Sequence, residues 1–131
     1  MQLNEPSDSK NAARVLVVDD EADVRTLTAL IVEGWGYAVQ TADSAADALR
    51  LCGEAAFDVV VTDIGMDGVD GFELARRLRA HPDCPDLCII AVTGRDADLA
   101  RVRSDLDLFD AYLVKPVEPR DLRSTLESVL A

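Results

Sequence analysis

An α/β fold is predicted: one parallel sheet of about five strands with helices on both of its faces. Three observations carry that reading. Continuous apolar runs, Val15 to Val18, Val59 to Val61, Leu87 to Val92 and Ala111 to Val114, suit strands covered on both sides, because a half-exposed sheet would alternate polar and apolar residues. Segments with helical apolar spacing lie between the runs, so strand and helix alternate to the end of the chain. Polar groups stand where strands should end: Asp19 and Asp20 after VLVV, Asp63 after VVVT, Thr93 after IIAV, and Lys115 with Pro116 after AYLV. In a parallel sheet joined by right-handed crossovers those ends share one rim, where ligands collect.

Taken in order, the first strand leads into a helix spaced by Val24, Leu27, Leu30 and Ile31. That helix stops at GWGYAV, where Gly34 and Gly36 serve as a C-cap. A second helix carries Cys52, read as ordinary packing. The strand ending at Asp63 is followed by a helix with Leu74 and Leu78, and the strand ending at Thr93 by one with Leu99, Val102 and Leu106. After the last strand, Leu122, Leu126, Val129 and Leu130 mark the closing helix.

Composition agrees. A chain of 131 residues fits one domain and buries roughly two thirds of its unfolded surface, enough for a core without disulfides or structural metal. With 25 acidic and 13 basic residues the net charge is -12, which disfavours direct binding to nucleic acid and favours a basic protein surface. The opening MQLNEPSDSKNAA is neither a secretory signal nor a membrane anchor and reads as a loose tail over 1–13, leaving 14–131 as the domain. No stretch is long enough to cross a bilayer, and the cytoplasm is the default location. Three cysteines, Cys52, Cys84 and Cys88, without a CxxC pair, point to reduced thiols. His81, Cys84 and Cys88 fall close together, yet without a fourth ligand they read as packing and turn residues, not a zinc site.

The acids carry the chemistry. In a flavodoxin-like strand order, 2-1-3-4-5, the first and third strands adjoin at the switch point and bring Asp19, Asp20 and Asp63 together. Carboxylates packed so closely raise one another's pKa unless a cation joins them, and an all-oxygen donor set suits Mg²⁺, which usually completes its octahedron with phosphate. A phosphoryl group in transfer spreads charge over three oxygens, and a metal, the Lys115 ammonium and the Thr93 hydroxyl can each hold one. Asp63, ending a central strand, is then the nucleophile, with Asp19 and Asp20 as metal holders. The plainer alternative is that the acid pair caps a helix while Lys115 pairs with any nearby carboxylate.

These residues resemble the receiver domain of two-component response regulators. The matching pieces are VLVVDDE at Val15 to Glu21, VVVTDIGMDGVDGFEL at Val59 to Leu74, AVTG at Ala91 to Gly94 and AYLVKPVEP at Ala111 to Pro119, together spanning nearly all of the chain beyond the tail. The resemblance implies a flavodoxin-like (βα)5 fold with Asp63 as phosphoacceptor. It implies Mg²⁺ bound by Asp20, Asp63 and the Gly65 backbone carbonyl, with Asp19 joined through water, and Thr93 and Lys115 on the phosphoryl group. Tyr112 falls at the family's aromatic switch position, where packing on an edge strand is the plainer role. The implied donor is a sensor histidine kinase or histidine phosphotransfer protein. The implied output, to a downstream protein target, is the face of the fourth helix, fifth strand and fifth helix. Its charged residues, Arg95, Asp96, Asp98, Arg101, Arg103 and Asp105, could pair two copies as a homodimer and are equally what a solvated face carries.

The chain departs from the family pattern at several points. Asp67 stands where proline is common and Val69 where methionine is usual, so Asp67 loosens this loop or weakens phosphate affinity near the site, unless it simply points into solvent. Gly65 and Arg95 hold the positions that tune phosphoryl lifetime, with opposite leanings. Leu108 replaces the small residue that usually ends the fourth helix, which predicts an irregular junction there. A haloacid-dehalogenase-type phosphatase needs a second Asp where Gly65 stands, and a nucleotide-binding fold needs glycines where Asp19, Asp20 and Glu21 stand. The remaining alternative is a receiver-shaped module that binds its partner without phosphorylation. A stand-alone regulator, a phosphorelay shuttle and a piece of a hybrid kinase all fit the sequence.

Overall fold

The computed structural model describes residues 12–66, 70–94, 96–105 and 107–131, the side chains of 96 and 97 excepted. Asp67, Val69, Arg95, Leu106 and most of the expected tail lie outside the described residues, as do the side-chain expectations for Asp96. Ten elements alternate along the chain: β1 (Arg14–Val18), α1 (Ala22–Gly34), β2 (Ala38–Ala42), α2 (Ala45–Glu54), β3 (Val59–Asp63), α3 (Gly71–Ala80), β4 (Cys88–Thr93), α4 (Asp96–Ser104), β5 (Ala111–Val114) and α5 (Pro119–Leu130). The strands pair in parallel in the order β2-β1-β3-β4-β5, the flavodoxin-like order the sequence predicts.

Alternation within the central strands divides the core into two layers. Leu16, Val18, Val60, Ile89 and Ala91 face α2, α3 and α4, packing on Ala48, Phe72, Leu74, Leu78 and Val102. Val15, Val17, Val59, Val61 and Ile90 face the other way, toward Val32 of α1 and Leu122 and Leu126 of α5. All five residues of β3 are buried, which is why its run is continuously apolar until Thr62. The edge strand β2, AVQTA, buries only Ala42, and accordingly has no apolar run by which to recognise it.

The packing of one helix departs from expectation, and the end of another is not a regular cap. The apolar spacing of α1 identifies the helix but not its packing: Val24 is 40% exposed and Leu27 and Leu30 are each 60% exposed, while Val32 is its one fully buried residue. Its C-terminal end does close as predicted. Trp35 and Gly36 donate N–H groups to the Val32 and Glu33 carbonyls, and Gly36 takes φ +99°, a left-handed value open to glycine. The fourth helix stops at Ser104, well before Leu108, and the chain reaches β5 through a turn closed from the Leu108 N–H to the Asp105 carbonyl. No described non-glycine residue has positive φ, so Leu108 avoids the strained left-handed cap. Arg79 of α3 secures this junction instead, donating to the carbonyls of Leu87 and Leu108 and to Asp110.

Candidate phosphoacceptor site

Sheet register assembles the site. Val18 lies opposite Thr62 and Asp63 opposite Val92, so the residues just past β1 and the ends of β3 and β4 reach one rim. Thr93 pairs with Val114, which sets Lys115 beyond it, and the Lys115 N–H donates to the Thr93 carbonyl at 2.8 Å. The Lys115–Pro116 peptide is cis.

Carboxylate oxygens of Asp19, Asp20 and Asp63 lie within 4.8 Å of one another. Asp19 and Asp63 are each 6% exposed, and Asp20 is exposed. Burial pushes the Asp19 carboxyl above its ordinary pKa. The Glu21 N–H, donating to its Oδ1 at 2.9 Å, opposes that shift, and the charge of Asp63 adds to it. An all-oxygen cluster under mutual repulsion is the donor chemistry of a hard divalent cation. Three carboxylate oxygens this close fit the oxygen donor set of one Mg²⁺ ion, which keeps several of its own waters.

The opposing charge is also in place. Lys115 Nζ lies 3.2 Å from Asp63 Oδ2, while the Gly65 N–H donates to Asp63 Oδ1 at 3.2 Å. Thr93 Oγ1 is buried and has no hydrogen-bond partner among the described residues, an arrangement that costs free energy unless another group supplies the bond. At the start of α1 the N-cap residue, Glu21, makes no side-chain cap bond, while Asp19 Oδ1 accepts the Glu21 N–H, so Asp19 serves the helix start as well as the acid cluster. Lys115 pairs specifically with Asp63. Tyr112 is half-buried against the α4 side of the core and lines a groove of about 360 Å³ between β5 and α5.

Three residues of the site are not evident from sequence. Arg25 of α1 donates to the Asp19 carbonyl at 2.9 Å, steadying the acid pair from the helix side. Gly71 admits α3 to the end of β3, for a Cβ there would stand 2.8 Å from the Asp63 carbonyl oxygen and 2.9 Å from Ile64 Cα. Gly94 leaves room for the stem of Lys115, whose Cδ would lie 3.3 Å from an added Cβ. Gly71 and Gly94 stand within the family-like stretches, but only the folded neighbours show why a side chain is excluded there, as only they give Arg25 its role. A groove of about 690 Å³ runs between α1 and α5, with Val17, Val61 and Leu122 in its apolar lining and Asp19, Asp63 and Lys115 among its polar residues.

Comparison with known proteins agrees with this geometry. A family model described as response regulator receiver domain matches residues 15–127. The protein PilH of Pseudomonas aeruginosa is 34% identical over 91% of this chain and 98% of its own length. The transcriptional regulatory protein ResD of Bacillus subtilis is 33% identical over 94% of this chain, which spans only 50% of that regulator. About half is also the share of the regulator AfsQ1 of Streptomyces coelicolor that the chain covers. Among solved structures, the chemotaxis response regulator CheY4 of Vibrio cholerae superposes with a TM-score of 0.83 at 29% identity, covering 91% of this chain and 99% of its own. The response regulator TrrA of Thermotoga maritima, solved in complex with Mg²⁺ and BeF, gives 0.78 at 32% identity, covering 89% and 98%. A fold, a rim of acids and a profile spanning nearly every element all converge, and the chain belongs to the response regulator receiver domains of two-component signalling.

Proposed function

We propose that the domain is a phosphorylation-dependent switch in which Asp63 accepts a phosphoryl group from a phosphohistidine. The donor is a sensor histidine kinase or a histidine phosphotransfer protein, and the altered shape is read by a downstream protein on α4, β5 and α5. An Asp63 carboxylate oxygen attacks phosphorus, the P–N bond breaks, and its electron pair returns to the imidazole, leaving an acyl phosphate. Asp20, Asp63 and the Gly65 carbonyl would hold Mg²⁺, with Asp19 joined through water, and the ion when bound supplies positive charge against the phosphoryl oxygens. Lys115 exchanges the Asp63 carboxylate for a phosphoryl oxygen, and the Thr93 hydroxyl finds in another the partner it lacks. Phosphorylation adds about one further negative charge. Tyr112 then takes up space that Thr93 leaves, reshaping the β5 face. The domain is a signalling switch whose chemistry is confined to its own modification and slow hydrolysis. The α1–α5 groove, which leads to Asp63, supports a protein donor docking there.

The observation that carries this reading is the joint arrangement at Asp63: a buried carboxylate among two further acids, with Lys115 at 3.2 Å and an unpartnered Thr93 hydroxyl beside it. Incubation with Mg²⁺ and acetyl phosphate, followed by intact mass, is expected to add one phosphoryl group to the wild-type chain and none to Asp63→Asn. Equal gain in both would remove Asp63 from the role. No gain in either would favour a receiver-shaped module that binds without phosphorylation.

A further inference from the structure

The fourth helix is thinly anchored. Val102 is its only buried residue among those described, whereas α3 buries Gly71, Phe72, Leu74, Ala75 and Leu78. Among the described residues, Arg101 supplies a second grip on α4. Its guanidinium carbon lies 3.7 Å from the centroid of the Phe72 ring, and its Nη1 lies 4.0 Å from Asp70 Oδ2. Both partners belong to the start of α3. Asp70 is the N-cap, accepting the Glu73 N–H at 3.0 Å, and Phe72 is buried edge-on against Phe109, which precedes β5, at 5.6 Å.

That start of α3 is in turn pressed onto the end of β3. The Gly71 N–H donates to the Ile64 carbonyl at 3.2 Å, and no room for a Cβ separates Gly71 from the Asp63 and Ile64 backbone. A change at Asp63 therefore meets a rigid neighbour whose far side is held by Arg101. We infer that Arg101 is a positioning residue, a latch that stacks on Phe72 and pairs with Asp70 to hold α4 in its resting place and releases it when Asp63 is modified. The release half rests on the phosphoacceptor role of Asp63; the holding half does not. A planar guanidinium suits the task, because it can lie over a ring and still point an N–H at a carboxylate, which a lysine ammonium does poorly.

Amide hydrogen exchange on the unmodified full chain tests the hold. Arg101→Ala is expected to speed exchange in the α4 amides at least tenfold while leaving β3 and α3 at wild-type rates, with Arg101→Lys in between. Unchanged exchange in α4 would overturn the latch. Binding of beryllium fluoride with Mg²⁺ tests the release, since coupling between two sites is reciprocal. Arg101→Ala is expected to bind it several-fold more tightly than wild type, and equal affinity would reduce Arg101 to a structural contact and overturn the coupling. A wild-type chain that binds no beryllium fluoride, like Asp63→Asn, would strike at the phosphoacceptor role and leave the exchange experiment to decide the hold.

Discussion

Thr93 ends β4 with a hydroxyl that is buried, unpartnered among the described residues and 1% exposed as a residue. Such a group is destabilising by about 1–3 kcal/mol relative to a satisfied one, so the resting protein retains it at a cost. Thr93→Val keeps the shape and removes the orphan oxygen. It is expected to raise the urea unfolding free energy by roughly 1 kcal/mol while slowing phosphoryl gain from acetyl phosphate; a loss of stability would show that the hydroxyl is already satisfied. Asp19 stores a similar tension in charge. Burial raises its pKa above the ordinary 3.8, so between that value and the raised one the folded chain binds more protons than the unfolded chain, and stability falls as pH rises through the interval. Above the interval the charged acid is a constant penalty in the metal-free protein. Asp19→Asn should therefore be more stable than wild type at neutral pH without divalent ions, with the advantage shrinking as pH drops toward 3.8. Urea midpoints at the two ends of that range check it, and an equal gain at both would mean that titration of Asp19 is not the source.

At the scale of elements, helix packing separates what a pattern can reveal from what it cannot. Leu74 and Leu27 both sit at helical apolar spacing, yet Leu74 is fully buried and Leu27 is 60% exposed. Leu74→Ala is expected to cost about 2–5 kcal/mol, and Leu27→Ala to change stability by less than about 0.5 kcal/mol. Urea unfolding of both variants tests the difference, and a Leu27→Ala loss matching that of Leu74→Ala would place α1 firmly in the core. Periodicity reports that a helix has an apolar face; it does not report what covers that face. Continuous runs located β1, β3 and β4 because burial on both sides leaves little room for polar residues; the run of β5 located that strand too, but as an edge strand it buries only Leu113 and leaves Val114 45% exposed, so its expected cover on both faces is not found. For β2 the same physics works in reverse: Gln40 and Thr41 are tolerated because an edge strand is solvated. The end of α4 shows a third case, where Leu108 signals that glycine is missing but not that Arg79, well upstream, supplies the bonds that hold the junction.

For the molecule as a whole, the site was legible because strand ends are conspicuous and parallel register is stringent: five polar residues from four places reach one rim by topology alone. Contacts that pass between helices, such as Arg101 on Phe72, leave no sequence pattern and emerge only from the fold. The same assembly concentrates charge, because a chain of net charge -12 gathers three of its acids into one corner. Two physical effects of Mg²⁺ must then be told apart. Screening of the overall charge stabilises any strongly acidic protein and is reproduced by NaCl at equal ionic strength. Binding at the corner stabilises the folded chain further, by an amount that grows with the logarithm of Mg²⁺ concentration once sites fill, about 2.7 kcal/mol at a hundred times the dissociation constant. The thermal midpoint of the wild-type chain is thus expected to rise with Mg²⁺ beyond the NaCl control, and the excess to vanish in Asp63→Asn and on adding a chelator. Calorimetric scans across a Mg²⁺ series measure it directly. If NaCl reproduced the whole rise, or if Asp63→Asn kept the excess, the ion would be acting on the general surface and not among Asp19, Asp20 and Asp63.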